Sequence, residues 1–244
     1  SDKGGAVWCN SPSGLDAENT TFSGNAANTS GGAVHFHGFN VNFKNVTLTQ
    51  NSSGQGGGIF SQSGTVTLAN TLVAGNMAAG MGPDLAGVFA DGGNNLVGDI
   101  GPATGIMNAV NGNIVGGGGN PAINPATALD PATALDPALS DNGGTTATHA
   151  LVLGSPAIDA GKDAVAPALD QRGISRIDVP GVGTAISDIG AVEFSALDFG
   201  DAPDTSGGNA MLDYDTLLAN DGARHDAIGP TLGTHRDGES DGVQ

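Results

Sequence analysis

The sequence predicts an all-β protein whose first part is a right-handed parallel β-helix. Three sequence markers recur with a shared period of about 26 residues, which is the signature of a repeat architecture. The first marker is Gly-Gly-Ala-Val at 4–7 and 31–34, which returns as Gly-Gly-Gly-Ile at 56–59. The last residues of these motifs lie 27 and 25 residues apart. Such regular spacing argues against disorder, although 42 glycines and 4% aromatic residues leave little material for a thick core.

Two further markers recur with the same period. Thr-Phe-Ser-Gly-Asn at 21–25 corresponds to 47–51 and 72–76, each of which also ends in asparagine. The third marker is a single asparagine, found at Asn19, Asn45 and Asn70. Three independent markers with one period are hard to produce by chance, so we assign the repeat to a stack of equivalent coils.

Each repeat contains short runs of alternating residues, such as 41–43 and 66–68, interrupted by glycine, asparagine and serine. About three short strands in about 26 residues form one β-helix coil, and neighbouring coils lie about 4.8 Å apart. Equivalent residues should therefore stack as inward ladders: Val7/Val34/Ile59, Leu15/Val41/Val66 and Phe22/Leu48/Val73. At one turn we expect an amide ladder of Asn25, Asn51 and Asn76, because asparagine tolerates left-handed backbone.

The repeat loosens after Asp84, and 94–98 resembles a fourth coil. A directly duplicated Pro-Ala-Thr-Ala-Leu-Asp at 125–130 and 131–136 is typical of an expanded surface loop. We therefore assign residues 1–140 to about four coils with loop insertions. A leucine-rich-repeat solenoid is the structural alternative, but the sequence has no Leu-x-x-Leu-x-Leu frame.

The coil motifs resemble those of pectate-lyase-like β-helices in bacterial surface and autotransporter-type proteins. Residues 141–195 carry a second set of motifs: Asp-Asn-Gly-Gly-Thr at 141–145, Gly-Ser-Pro-Ala-Ile-Asp-Ala-Gly at 154–161, Asp-Gln-Arg-Gly at 170–173 and Asp-Ile-Gly-Ala-Val-Glu at 188–193. This segment is similar to the terminal module of choice-of-anchor Q proteins. The resemblance implies an exported, often surface-anchored bacterial protein, and it implies no reaction.

Residues 141–195 are expected to form a C-terminal cap, because the last coil of a β-helix must be covered. Five charged residues are candidates for a structural network of ion pairs and turns: Asp159, Asp170, Arg172, Arg176 and Asp188. The alternative is a catalytic acid–base set that also includes His149.

Residues 196–244 form an acidic, loop-rich extension that holds ten of the 25 acidic residues. Leu-Asp-Phe-Gly-Asp-Ala-Pro-Asp at 197–204 resembles the start of GEVED-type surface modules. Asp-x-Glu-x-Asp-Gly at 237–242 matches most of a calcium-loop opening, in which alternate carboxylates converge on the ion. The candidate ligands for a structural Ca²⁺ are Asp198, Asp201, Asp204, Asp237, Glu239 and Asp241.

The net charge of −18 disfavours nucleic acid as a partner, because the surface repels phosphates. Cys9 is the single cysteine, so a disulfide framework within the chain is excluded. The sequence contains no apolar run long enough to span a membrane and no signal peptide. Because the first motif begins at Gly4, and 241–244 ends within a motif, we expect flanking segments at both ends.

Enzymes of β-helical shape often act on polysaccharides, so acidic residues on the coils are candidate catalytic groups. Asp16 and Glu18 could share a strand face, but their equivalents one coil later are Asn42 and Lys44 rather than acids. We therefore assign no catalytic residue.

His35 and His37 also share a predicted strand face. They could bind a transition metal, but no third ligand is evident, and exposed polar residues are the simpler interpretation. Trp8, His35 and Phe60 should stack on the outside of the coils, where they could contact sugar rings.

These observations favour an extracellular structural or adhesive module of a bacterial surface or matrix. Its expected partners are further domains of the same polypeptide, and it could self-assemble through an open coil at Gly4 or through the tail. The alternative is a carbohydrate-active enzyme or carbohydrate-binding module with polysaccharide as its partner.

Overall fold

The computed structural model describes residues 1–10, 14–118, 129–176 and 187–194, together with the backbone of 197–198 and 225–226. Clustering of contacts divides the chain into a large unit of 1–178 and 182–193, and a second unit of 179–181 and 194–244. In the second unit, Leu197–Asp198 and His225–Asp226 form an antiparallel pair of strands. All other described elements belong to the large unit.

The large unit is a parallel β-helix, as the sequence predicted. Its strands are β1 (Val7–Cys9), β2 (Leu15–Ser23), β3 (Val34–Thr49), β4 (Ser52–Ser53), β5 (Ile59–Ala69), β6 (Leu72–Val73), β7 (Met77–Ala78), β8 (Leu85–Ala86), β9 (Phe89–Gly93), β10 (Leu96–Val97) and β11 (Ile114–Val115). A short 3₁₀ helix follows at Pro131–Thr133, and the second unit contributes β12 (Leu197–Asp198) and β13 (His225–Asp226).

Every strand pair of the large unit is parallel, so each strand lies on its equivalent in the next coil. Coil 1 carries β1 and β2, coil 2 carries β3, coil 3 carries β5 and β6, and coil 4 carries β8 to β10. The strand β11 stacks on β10 as part of a fifth coil. The repeat is therefore clearest over three coils, and coil 4 is shorter.

All three predicted apolar ladders are confirmed by the strand register. Val7 pairs with Val34 and then Ile59, Leu15 with Val41 and then Val66, and Phe22 with Leu48 and then Val73. The ladders continue through Leu85, Phe89 and Val97 in coil 4. The inner members of coils 2 and 3 are completely buried, so the core is a thin column of stacked aliphatic and phenylalanine side chains.

The predicted amide ladder is also confirmed, and it has one more rung than expected. Asn25 Nδ2 donates to Asn51 Oδ1 over 2.9 Å, and Asn51 Nδ2 donates to Asn76 Oδ1 over 2.8 Å. Asn76 Nδ2 then donates to Asp84 Oδ1 over 2.8 Å. We call these four residues the inner ladder. Asp84 thus takes the place of the next asparagine.

A second set of asparagines has left-handed backbone at an equivalent turn of each coil. We call it the outer asparagine column: Asn19, Asn45, Asn70 and Asn94, with φ of 47°, 50°, 48° and 53°. A left-handed turn rotates the chain sharply between strands, and asparagine is the non-glycine residue that adopts it most readily. The third sequence marker therefore marks the corner of each coil.

Candidate functional site

The second half of the large unit lies along the side of the coils. We call the described residues of 136–193 the lateral segment. Asn94 Nδ2 donates to Ala160 O over 2.9 Å, and Asn45 Nδ2 donates to Gly190 O over 3.3 Å. Asn19 Nδ2 donates to Leu169 O over 2.8 Å. The segment therefore contacts the outer asparagine column from coil 4 to coil 1.

Asn70 makes the most complete of these contacts. Its Oδ1 accepts from the backbone N–H of Lys162 over 2.7 Å, and its Nδ2 donates to Lys162 O over 3.2 Å. Its backbone carbonyl accepts from Gly190 N over 2.9 Å. One corner asparagine therefore binds two separate parts of the lateral segment, and its side chain engages the backbone of Lys162 as another strand would.

The described contacts of this part of the chain lie along the side of the coils. The corners of the coils present amide groups and backbone carbonyls sideways, and buried polar groups of this kind require partners. The irregular lateral segment supplies partners of this kind at coils 1 to 4. Coil 4 is followed by 99–115, from which Ile100, Ala103 and Ile106 join the core.

Asp170 is the centre of one cluster in the lateral segment. Its carboxylate accepts from Arg172 Nε over 2.8 Å, from the Arg172 backbone N over 2.8 Å and from Glu193 N over 2.9 Å. Arg172 Nη2 also donates to the carbonyl of Glu193 over 2.5 Å. Both side chains are nearly inaccessible to solvent. The predicted structural role of this pair is therefore evident: it joins the 170–174 turn to the irregular run 188–193.

A second cluster brings together Asp159, Asp188 and Glu193, all of which are buried. One carboxylate oxygen of each lies within 4.8 Å of the others. Arg176 Nη1 contacts Glu193 Oε2 over 2.7 Å, and Asp188 Oδ1 accepts from the Asp159 backbone N over 2.7 Å. Sequence reasoning selected Asp159, Arg176 and Asp188, but it missed Glu193, whose place at the end of the Asp-Ile-Gly-Ala-Val-Glu motif was the available signal.

These three carboxyl groups are the set, among the described residues, whose geometry could hold a hard cation such as Ca²⁺ through oxygen ligands. The same atoms have a structural use, since Glu193 Oε2 accepts from both Arg176 and the Asp188 backbone N. The cluster therefore forms a buried hydrogen-bonded network that fixes the fold of the lateral segment.

His149 does not join the acidic clusters. Its Nε2 lies 2.8 Å from Ser23 Oγ, and its Nδ1 lies 2.9 Å from the carbonyl of Asp136. Because both ring nitrogens are used to connect the lateral segment to coil 1, the geometry favours an anchoring role over the acid–base alternative.

Asp16 and Glu18 share the outer face of β2, as predicted, and both are exposed. Asp16 Oδ1 accepts from Asn42 Nδ2 over 2.6 Å, and Glu18 forms a salt bridge with Lys44. Each acid is thus paired with a neutral or basic residue one coil later. The pair of acids on adjacent coils that a hydrolase needs does not occur at this position.

His35 was expected to be an exposed polar residue, and that expectation is wrong. It is 1% exposed, its ring stacks on Phe60 with centroids 5.1 Å apart, and burial lowers its pKa. Nε2 lies 3.1 Å from Gln62 Oε1, and Nδ1 lies 2.7 Å from Ser30 Oγ. With both nitrogens bonded, His35 does not form the metal pair with His37.

A cavity of about 240 Å³ lies beside the lateral segment and is lined by Asp163, Ala166, Pro167, Ala168, Arg176 and Ser187. Asp163 Oδ1 accepts from the Ser187 backbone N over 2.9 Å and from its hydroxyl over 2.8 Å. The polar groups of Asp163 and Ser187 are therefore directed at each other.

The predicted calcium ligands lie almost entirely outside the described residues. Asp198 is described by its backbone alone, and it pairs with His225 in the small antiparallel sheet. The other five predicted ligands are Asp201, Asp204, Asp237, Glu239 and Asp241.

Among the described residues, no helix has the length and apolarity that crossing a membrane requires. No family model, curated protein or solved structure matches this sequence.

Proposed function

We propose that this chain is a structural or adhesive module of a bacterial cell surface or extracellular matrix. One observation carries the proposal: the lateral segment is hydrogen-bonded to the same corner of four successive coils, from Asn19 to Asn94. Such bracing stiffens a thin repeat stack, whose coils otherwise contact only their neighbours. A braced rod is suited to displaying or spacing other domains.

The choice-of-anchor Q resemblance of residues 141–195 supports the proposed location, because it implies an exported and often surface-anchored protein. The net charge of −18 is compatible with an exterior rich in salt and divalent cations. The partners that we propose are further domains of the same polypeptide, adjoining the acidic extension from 196 onward.

The location is tested in cells that produce the protein naturally. Antibody labelling and protease shaving of intact cells should detect the chain at the surface or in the matrix. Full protection until the cells are lysed would contradict the proposed location.

We further propose that Ca²⁺ binds the acidic extension through the motif at 237–242. The test compares thermal unfolding of the whole chain with added Ca²⁺ and with a chelator. A double variant, Asp237→Asn with Asp241→Asn, should lose the calcium-dependent rise in melting temperature, whereas Asp16→Asn should keep it. An identical midpoint with calcium and with chelator in the unmodified chain would rule out the site.

The second candidate function is contact with polysaccharide, favoured by the exposed indole of Trp8. Trp8 is 61% exposed, and the strand register places it one coil above His35 and two coils above Phe60. Aromatic faces bind the apolar faces of sugar rings, so this strip, in which His35 is buried and Trp8 is the exposed member, could bind a glycan through Trp8 without cleaving it.

The two functions are separated by glycan assays. The scaffold proposal predicts no new reducing ends and no unsaturated uronide absorbance when the chain is incubated with acidic or neutral polysaccharides. If it binds a glycan through the strip, Trp8→Ala should abolish retention on that glycan, whereas Leu153→Ala, at a leucine that is 85% exposed, should not. Release of oligosaccharides would favour the enzyme.

A further inference from the structure

Asn111 repeats the corner of the outer asparagine column one coil beyond Asn94. Its backbone is left-handed, with φ of 50°, and its carbonyl accepts from Asn94 N over 2.8 Å. Among the described residues, however, no hydrogen bond joins its side chain to the lateral segment, and its Nδ2 donates to Asp91 Oδ2 over 2.9 Å. Asn111 and Gly112 are both exposed. This corner is therefore open to water, whereas the lateral segment contacts the other four.

The residue that follows the corner also differs at Asn111. The first four corner asparagines are followed by Thr20, Val46, Thr71 and Asn95, whereas Asn111 is followed by Gly112. A side chain on the following residue hinders its backbone nitrogen from attacking the asparagine side chain, and glycine removes this hindrance. In the described part of the chain, Gly112 N has no hydrogen-bond partner. Gly112 N is therefore available as a nucleophile toward Asn111 Cγ.

The turn that carries Asn111 contains a second left-handed residue. Ala109 has φ of 60°, a conformation that alanine adopts at a cost because its Cβ crowds the following carbonyl oxygen. This cost favours local opening of the turn. Opening frees the backbone to bring Gly112 N to Asn111 Cγ.

We propose that Asn111 is a self-modification site, at which the protein converts asparagine slowly and irreversibly into isoaspartate. Gly112 N loses its proton to solvent hydroxide and attacks Asn111 Cγ, which closes a succinimide ring. The bond from Cγ to Nδ2 breaks, and Nδ2 takes a proton from water and leaves as ammonia. Water then adds to the backbone carbonyl carbon of Asn111 and breaks its bond to Gly112 N. The chain then runs through the former side chain, and the former backbone carbonyl is a free carboxylate. Addition of water at Cγ gives aspartate as the minor product.

The chain contains a second Asn-Gly pair, and the fold protects it. Asn142 Nδ2 donates to the carbonyl and to the hydroxyl of Thr148, over 3.0 Å each. Gly143 N donates to Asp141 Oδ1 over 3.1 Å. Both the side chain and the attacking nitrogen must lose these bonds before a succinimide forms. Asn142 is therefore a control for Asn111 within the same molecule.

The conversion changes the corner of coil 4. A carboxylate at position 111 replaces the amide that donates to Asp91, so two negative charges face each other. In isoaspartate, the carbonyl that accepts from Asn94 N is displaced as well. Asn94 is the corner that donates to Ala160 of the lateral segment over 2.9 Å. The conversion therefore loosens the lateral segment where it meets coil 4.

The test incubates the complete chain at mildly alkaline pH and follows both Asn-Gly pairs by peptide mapping. Isoaspartate is quantified by enzymatic methylation, and heavy-oxygen water labels the residue that has taken up an oxygen atom. In the folded chain, Asn111 should convert at least about tenfold faster than Asn142, because reaction at Asn142 requires local unfolding. In concentrated guanidinium the two rates should become similar, because both asparagines precede glycine.

Equal rates at the two sites in the folded chain, or conversion of Asn111 in guanidinium alone, would overturn the proposal. Asn111→Gln should suppress conversion at this site and leave conversion of Asn142 unchanged, because glutamine closes the corresponding larger ring much more slowly. The glutamine variant is preferred to Gly112→Ala, because a Cβ at Gly112 would lie 2.6 Å from Asn94 Nδ2 and disturb the corner itself.

The effect on the corner is measured separately. Anion exchange isolates the converted chain, which carries an added negative charge. Hydrogen exchange followed by NMR should show the Asn94 amide exchanging at least about tenfold faster in the converted chain than in the unconverted chain. The amide of Asn51, which donates to Asn76 away from this corner, should exchange equally in both. Unchanged exchange at Asn94 would contradict the loosening of coil 4.

Discussion

Asp84 shows how one residue changes the end of a repeating structure. In coils 1 to 3 the equivalent position before the ladder strand is Ala6, Ala33 or Gly58, which are too small to reach the turn. The longer Asp84 side chain fills the place of the next ladder amide and accepts both donors of Asn76. The ladder therefore ends on the carboxyl group of Asp84.

The burial of Asp84 has a consequence for stability. Its side chain is enclosed, and desolvation raises its pKa to about 7, although the hydrogen bonds from Asn76 and Asp99 oppose the shift. Between the ordinary pKa of 3.8 and about 7, the folded state binds more protons at this site than the unfolded state does. Raising the pH through this window therefore lowers the free energy of unfolding.

Asp84→Asn should remove that dependence. We expect the variant to be less stable at pH 4, because its amide places a donor against the Asp99 N–H, and to have a flatter stability profile between pH 4 and pH 7. Urea unfolding at several pH values measures both effects. His35 has the opposite effect on the free energy of unfolding. Because burial lowers the pKa of His35, the protein loses stability as the pH falls through the ordinary value of 6.5. This contribution is present in both proteins and serves as an internal control. Equal slopes for the variant and the parent would refute the assignment.

Ser61 offers a simpler test at the same scale. It occupies an inward position of β5, paired with Phe36, and its hydroxyl is buried without a hydrogen-bond partner in the described part of the chain. A buried hydroxyl of this kind costs roughly 1–3 kcal/mol relative to water. Ser61→Ala should therefore raise the free energy of unfolding by about 1 kcal/mol in a denaturant titration. Ser63→Ala, at an exposed residue of the same strand, should change the free energy of unfolding little. A loss of stability in Ser61→Ala would show that the Ser61 hydroxyl is hydrogen-bonded.

At the scale of elements, the sequence predicts the coils well and the lateral segment poorly. The coils were predictable because stacking repeats the same environment every 25 to 27 residues, so Val7, Val34 and Ile59 record one position three times. The lateral segment has no period, and its contacts join residues far apart, such as Asn19 and Arg176. The sequence shows the outer asparagine column as a repeated marker, but it does not show which residues of the lateral segment the column contacts.

The same difference applies to the candidate site. Paired charges such as Asp170 and Arg172 lie two residues apart in a tight turn, so local sequence was enough to suggest their structural role. Glu193 was missed because its importance depends on Arg176 and Asp188 reaching it through the folded chain. His35 was misjudged because alternation predicts an outward side chain but does not report that neighbours cover it.

The outer asparagine column can be tested with a matched pair on one strand. Asn45 is completely buried and donates to the lateral segment, whereas Asn42 is exposed and donates to Asp16 on the surface. Asn45→Ala should lower the free energy of unfolding by about 1–3 kcal/mol, because it leaves buried carbonyls without a donor. Asn42→Ala should change it by about 0.5 kcal/mol or less. If the two variants are equally stable, the column does not anchor the segment.

For the whole molecule, two independent devices hold the stack together. The apolar ladders and the inner ladder join each coil to the next, and the lateral segment joins coils 1 to 4 from the side. The acidic surface opposes this compact arrangement through self-repulsion. We infer that the brace compensates for a core that contains few aromatic residues and is only a few side chains wide.

Hydrogen exchange tests this account most directly. Exchange followed by mass spectrometry should show that the amides of 188–193 and of β3 are protected together in the unmodified chain, because they open as one cooperative unit. In Asn45→Ala and Asn70→Ala, exchange in both regions should accelerate together, whereas Asn42→Ala should match the parent. Rapid exchange of 188–193 in the parent, while β3 stays protected, would show that the lateral segment is not a brace and would contradict the account.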